Sequence, residues 1–117
     1  MSFLWVGVGG ALGAMARYAL TLLVALESFY VIAAINVVGS FCMGAAISLL
    51  ASSFESAQWF KPLVMVGLLG GFTTFSAFAN DAVGMLHAGE HVKAVVYMVG
   101  SVVMPVAACG LGMMVIK

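Results

Sequence analysis

The sequence contains four long apolar runs separated by short polar breaks, over residues 3–26, 29–51, 62–86 and 92–116. An α-helix needs about 20 apolar residues to cross the ~30 Å hydrocarbon core of a bilayer. Each run meets that length, and little sequence lies outside them. The breaks are Glu27-Ser28, the stretch from Ser52 to Lys61, and His87-Ala88-Gly89-Glu90-His91. Pro62 suits the first turn of a helix, where its missing N–H costs little. Hydrophobic residues make up 65% of the chain and charged residues 7%, against about 45–50% and about 25% in a soluble domain. A water-soluble fold of 117 residues has no interior large enough to hide that surface. Four Lys+Arg balance four Asp+Glu, which leaves no basic patch for nucleic acid. The two cysteines, Cys42 and Cys109, sit inside apolar runs and make no disulfide framework. The first run lacks a basic flank and exceeds a signal peptide's apolar region, so it is expected to be a retained span. The expectation is an all-α integral membrane protein, one four-span domain over residues 1–117, whose activity lies within the lipid bilayer.

Four spans put both ends of the chain on the same side. Lys61 and Lys117 fall on that side, Lys93 on the other, and Arg17, past the middle of the first span, leans toward Lys93. Orientation follows Lys/Arg asymmetry, and there is almost none here, so insertion in both directions is expected. Every span carries glycines, with Gly9 and Gly13 spaced as a small-xxx-small face. Small residues let helices approach closely in lipid. Packing within one chain accounts for a single glycine; the set as a whole suggests a subunit interface too. Insertion both ways would permit an antiparallel homodimer.

Within the spans, polar residues mark candidate function. Arg17 either lines a pore vestibule or snorkels to the headgroups. Asp81 either pairs with a cation or accepts helix-end hydrogen bonds. Asn36 must find partners or line water; it either bonds another helix or donates to an anion. The third span holds Gly70-Gly71-Phe72-Thr73-Thr74-Phe75-Ser76-Ala77-Phe78. Two glycines and two β-branched threonines make a poor helix interior, so a break inside the span is expected, freeing backbone groups that can bind ions. Phe75 and Phe78 share a face; they either pack or turn positive ring edges toward an anion. Tyr97 and Ser101 make a short polar track on the fourth span, and Pro105 on the same face is expected to bend or unwind it. His87 and His91 match a zinc-protease spacing, but at a loop, and read as solvated.

Three motifs then carry a resemblance. Gly9-Gly10-Ala11-Leu12-Gly13-Ala14-Met15-Ala16-Arg17-Tyr18, Asn36-Val37-Val38-Gly39-Ser40-Phe41 and the Gly70 to Phe78 stretch together resemble the Fluc (CrcB) fluoride channel family. They fall in three different spans, in the family's order. The resemblance implies a multi-pass bacterial inner-membrane channel that exports fluoride passively and relieves its toxicity. It implies an antiparallel dual-topology homodimer with two pores and a structural sodium ion at its centre. Carried over by position, Asn36 is the pore amide, and Phe75 and Phe78 are the rings fluoride passes. Thr74 and Ser76 belong to the same path, and Tyr97 and Ser101 to the family's polar track, whose next hydroxyl is replaced by Pro105. Arg17 matches the basic residue near the pore entrance. Gly70 and Thr73 supply backbone carbonyls to sodium. Asp81 stands where an acidic residue is common.

The chemistry is consistent with this. Fluoride is small and strongly hydrated, so a pore must replace its water with donors such as amide, hydroxyl and ring edge. Full charges would hold the ion too tightly to release it. Hard cations favour oxygen ligands such as carbonyls. The alternative readings are a small proton-coupled multidrug exporter, for which Asp81 is the sole candidate carboxylate, and a non-transporting accessory subunit, which needs no broken third span.

Overall fold

The structure, a computed structural model, describes residues 2–115. The expected end of the fourth span at residue 116, and Lys117 in the cation tally, lie outside the described residues. The chain is all-helical. Helix α1 covers Ser2–Leu23 and α2 covers Ser28–Ser52. The third span opens with Lys61–Leu69, wound as a wider π-helix, and continues as Gly70–Phe72; these two segments together are α3. After an interruption the same span resumes as α4, Ser76–His87, and α5 covers His91–Val115. Four helices are long and apolar enough to cross a membrane, the third being Lys61–His87. The 25 residues of α2 or α5 extend for about 37 Å, more than the hydrocarbon thickness.

Two tightly seated helix pairs make up the bundle. Helix α1 lies chiefly against α3, and α2 against α5. The first pair meets through glycines: a Cβ on Gly67 would stand 3.0 Å from the Gly9 Cα and 2.9 Å from the Val6 carbonyl oxygen. The second pair closes where Gly44 faces the Cys109 carbonyl and Gly112 faces the Phe41 carbonyl. Backbones this close gain dispersion contacts that lipid cannot match.

The connections are short and locally determined. Gly89, at φ 79°, ends α4: the Glu90 N–H donates to Met85 O at 2.9 Å and the Gly89 N–H to Leu86 O at 3.1 Å. These bonds satisfy the last carbonyls of the helix. Between α2 and α3, Phe54 stacks on Phe60 with centroids 4.7 Å apart, and Trp59 meets both rings edge-on. An aromatic cluster at a span end suits the headgroup region. At the other end, Lys93 stands 3.8 Å from Glu27 and 3.6 Å from Glu90 and lies over the Phe29 ring. It thus ties the α1–α2 link to the start of α5.

Of the bend or unwinding expected at Pro105, the unwinding is absent. Helix α5 remains α-helical through it, so there is no unwound segment. The missing N–H only deprives the Ser101 carbonyl of its usual donor four residues on. Little of the chain is hidden by its own fold: only 11% of the first span and 17% of the third are buried.

Candidate functional site

The site is the interruption of the third span. Gly70 and Gly71 stay helical, and the helix opens only at Thr73, whose φ −79° and ψ 156° are extended. Thr74 is the middle residue of the 27-residue span Lys61–His87. Thr73 closes the first half on itself: its N–H and its Oγ1 both donate to Leu69 O, at 3.1 and 3.0 Å. Thr74 opens the second half, because its Oγ1 accepts from the Ala77 N–H at 3.3 Å and lies 3.4 Å from Ser76 Oγ. A hydroxyl placed so satisfies one of the orphan donors of a helix start.

Asn36 crosses from α2 to this point. Its Nδ2 donates to Thr74 O at 3.0 Å, and its Oδ1 accepts from the Thr74 N–H at 2.9 Å. The amide therefore has a definite orientation, since the flipped form would set donor against donor. One Nδ2 hydrogen is left over. One turn along α2, Gly39 leaves the space occupied by the Thr73 methyl. On the opposite side, Arg17 Nε donates to Gly71 O at 3.4 Å.

These bonds change which carbonyls are free. In an unbroken helix the Thr74 N–H would donate to Gly70 O and the Ala77 N–H to Thr73 O. Both donors are instead turned to side chains. Gly70 is exposed and Thr73 half-buried. Two carbonyl oxygens without their helical donors fit a hard cation such as sodium, so the chemistry of the pair suits the ion that the sequence resemblance implies. Among the described residues no cluster of His, Cys, Asp or Glu has metal-binding geometry; any cation here would be held by backbone oxygen.

The rings lie just beyond. Phe75 and Phe78 have centroids 5.4 Å apart, and Phe78 stands 5.1 Å from Tyr97. Their surroundings differ: Phe78 is 9% exposed in a core with Ile32, Met85 and Tyr97, whereas Phe75 is 77% exposed. The Tyr97 hydroxyl donates to Asp81 Oδ2 at 3.4 Å, and Ser28 Oγ donates to the same oxygen at 3.2 Å. Ser101 lies apart from the break, in a groove of ≈ 580 Å³ with Ala33, Val37, Lys93, Tyr97 and Gly100. Within one chain, then, Asn36, Thr73 and Thr74 are brought together, with Arg17 on Gly71 beside them. Phe75, Phe78 and Tyr97 form a row of rings leading away, and Ser76 sits at the start of α4. Sequence reasoning missed Ser28 and gave Gly39 only as a packing glycine and a member of the Asn36 motif. A hydroxyl at the first position of α2 was the only signal for Ser28; the i, i+3 spacing of Asn36 and Gly39 was the signal for the other.

A family model described as "CrcB-like protein, Camphor Resistance (CrcB)" matches residues 4–113. A protein of Aeromonas salmonicida (strain A449) named "Fluoride-specific ion channel FluC" is 44% identical over 101 residues, covering 83% of this chain and 81% of that protein. One of the same name from Rhizobium leguminosarum bv. trifolii (strain WSM2304) is 40% identical over 118 residues, 97% of this chain and 94% of the relative. A third of that name, from Paracoccus denitrificans (strain Pd 1222), is 40% identical over 117 residues, with 97% and 93% covered.

Proposed function

The chain belongs to the CrcB-like family, and from that membership we propose that it is a passive, fluoride-selective channel of the bacterial inner membrane, not an enzyme. The observation that carries this reading is identity across nearly the whole chain to relatives named as fluoride-specific ion channels. Flow runs down the fluoride gradient, out of the cell, and relieves toxicity.

The geometry supplies the means. Dehydrating fluoride requires donors in place of water, and the leftover Asn36 N–H with the Thr74, Ser76 and Ser101 hydroxyls provides them; the Tyr97 hydroxyl, held by Asp81 in this structure, joins them by turning from that carboxylate. The edges of Phe75 and Phe78 extend the path without formal charge. A path of dipoles holds the ion weakly enough to release it. Arg17, expected near the pore entrance, bonds Gly71 O beside the break and supplies positive charge there.

The working unit is an antiparallel pair of chains. The 77% exposure of Phe75 and the low burial of each span favour it, because a ring that belongs to a path needs a second wall. The even division of Lys and Arg between the two sides favours insertion both ways. Gly70 and Thr73 carbonyls of the two copies would together hold a sodium ion at the shared axis. When bound, that ion supplies positive charge and ties the two broken spans together.

The multidrug-exporter reading is not favoured. Asp81 is the only carboxylate well inside a span, it is engaged by Ser28 and Tyr97, and it lies six residues from the end of α4. Purified protein in liposomes is expected to release fluoride with chloride excluded and no proton gradient imposed. No release, or release only under a proton gradient, overturns the channel. A terminal reporter fusion is expected on both faces of the membrane; detection on one face alone overturns dual topology.

A further inference from the structure

We propose that Asn36 is a positioning residue for the open carbonyls at the helix break, in addition to any contact it makes with fluoride. It holds the Thr74 N–H on its own Oδ1, so that this N–H cannot close over Gly70 O. The inference rests on the proposed sodium site and assigns the side chain that keeps one of its oxygens available.

Two acceptors compete for the Thr74 N–H, one for each backbone state of Thr73. One is Gly70 O, by the ordinary i→i−4 bond. The other is Asn36 Oδ1, at 2.9 Å in this structure. The return bond from Nδ2 to Thr74 O, at 3.0 Å, makes the clamp two-point and fixes the amide plane. The same displacement occurs three residues on, where Thr74 Oγ1 takes the Ala77 N–H and leaves Thr73 O without it. Both diversions pass through Thr74, and α2 controls the first of them. Gly39 of α2 also receives the Thr73 methyl, so one face of α2 shapes both sides of the opening. Remove the Asn36 acceptor, and the part-buried Thr74 N–H is left without its partner, at a cost. Its nearest remedy is Gly70 O, and the helix then closes through the break.

The test is sodium-dependent stability, read without any fluoride flux. Purified wild-type protein in detergent is heated at graded sodium concentrations, with N-methylglucamine replacing sodium, and the sodium concentration giving half the rise in melting temperature is recorded. Asn36→Leu is expected to need about tenfold more sodium or to lose the response, the scale of one lost buried hydrogen bond. Asn36→Asp in its protonated form keeps an oxygen for the Thr74 N–H and an O–H for Thr74 O, and measured at low pH it is expected to retain the wild-type sodium midpoint; ionised, it places an anion in the fluoride path and lowers flux. Tyr97→Phe, which does not touch the break, is also expected to retain it. If Asn36→Leu does not fold, Asn36→Ser, too short to reach Thr74, takes its place. A wild-type sodium midpoint in Asn36→Leu or Asn36→Ser, or loss of the response in Asn36→Asp at low pH, overturns the proposal. Absence of any sodium response in the wild type fails differently: it removes the cation site itself, and the positioning role with it.

Discussion

Phe75→Ile is expected to lower fluoride flux by about tenfold or more, which corresponds to ~1.4 kcal/mol or more on the barrier, while leaving the fold and the pairing of chains intact. Phe75 is the exposed ring of the pair, at 77%, so its replacement opens no cavity within the chain. Isoleucine fills similar space but has no quadrupole and offers no positive edge to an anion. Phe78→Ile removes the second ring and is expected to slow flux comparably. Phe78, however, is packed among Ile32, Met85 and Tyr97, so its replacement also costs about 1 kcal/mol or more of packing. The two variants therefore separate the effects: flux falls in both, and melting temperature falls only in Phe78→Ile. Efflux from liposomes and thermal unfolding of the same preparations measure this. Wild-type flux in Phe75→Ile would reject a role for the ring.

The other large effect is expected at Gly13. A Cβ there would strike the Leu68 carbonyl and stand 2.7 Å from the Phe72 nitrogen. Both are backbone atoms inside a helix, so neither can swing aside as a side-chain tip would. Gly13→Val must force α1 away from α3, and overpacking of this kind costs about 1–3 kcal/mol. Moving α1 also withdraws Arg17 from Gly71 O. The expected outcome is loss of the monodisperse peak on size exclusion, with little protein recovered. Gly7→Ala is the control, because nothing lies within 4 Å of its Cβ position. It is expected to behave as wild type. Normal recovery of Gly13→Val would show that α1 and α3 are not held in this close register.

Some of this was legible in the sequence and some was not, for identifiable reasons. The apolar runs announce the four helices because length and hydrophobicity alone decide membrane crossing. The interruption was legible as a region, and of the two causes read there, glycines and threonines, only the threonines make it. Gly70 and Gly71 remain helical; a Cβ on Gly71 would stand 2.7 Å from Gly10 O, so that glycine serves close approach to α1. The opening is made by the threonines, which bond locally with side chains and with Asn36. Asn36 itself was left between helix bonding and anion donation. Its partner lies 38 residues away, and no local pattern specifies such a pairing. The same holds for Ser28 and Asp81, 53 residues apart. The π-helical winding of Lys61–Leu69 has no signature in an apolar run, since it alters hydrogen-bond spacing and not composition. Of the bend or unwinding expected at Pro105, the unwinding does not occur, because a proline deletes one bond from a ladder that its neighbours continue.

The place of Thr74 at the middle of its span has a geometric consequence. Turn a membrane helix end over end, and every residue exchanges its depth for the mirror depth, except the one halfway along. A break at the centre is therefore met at the same level by a copy inserted either way up. Were it one helical turn nearer an end, the two breaks of an inverted pair would separate by about 11 Å, twice the 5.4 Å pitch. Carbonyls from both copies could then never face one ion. For the proposed pair of oppositely inserted copies, the midpoint is the one address that both orientations share.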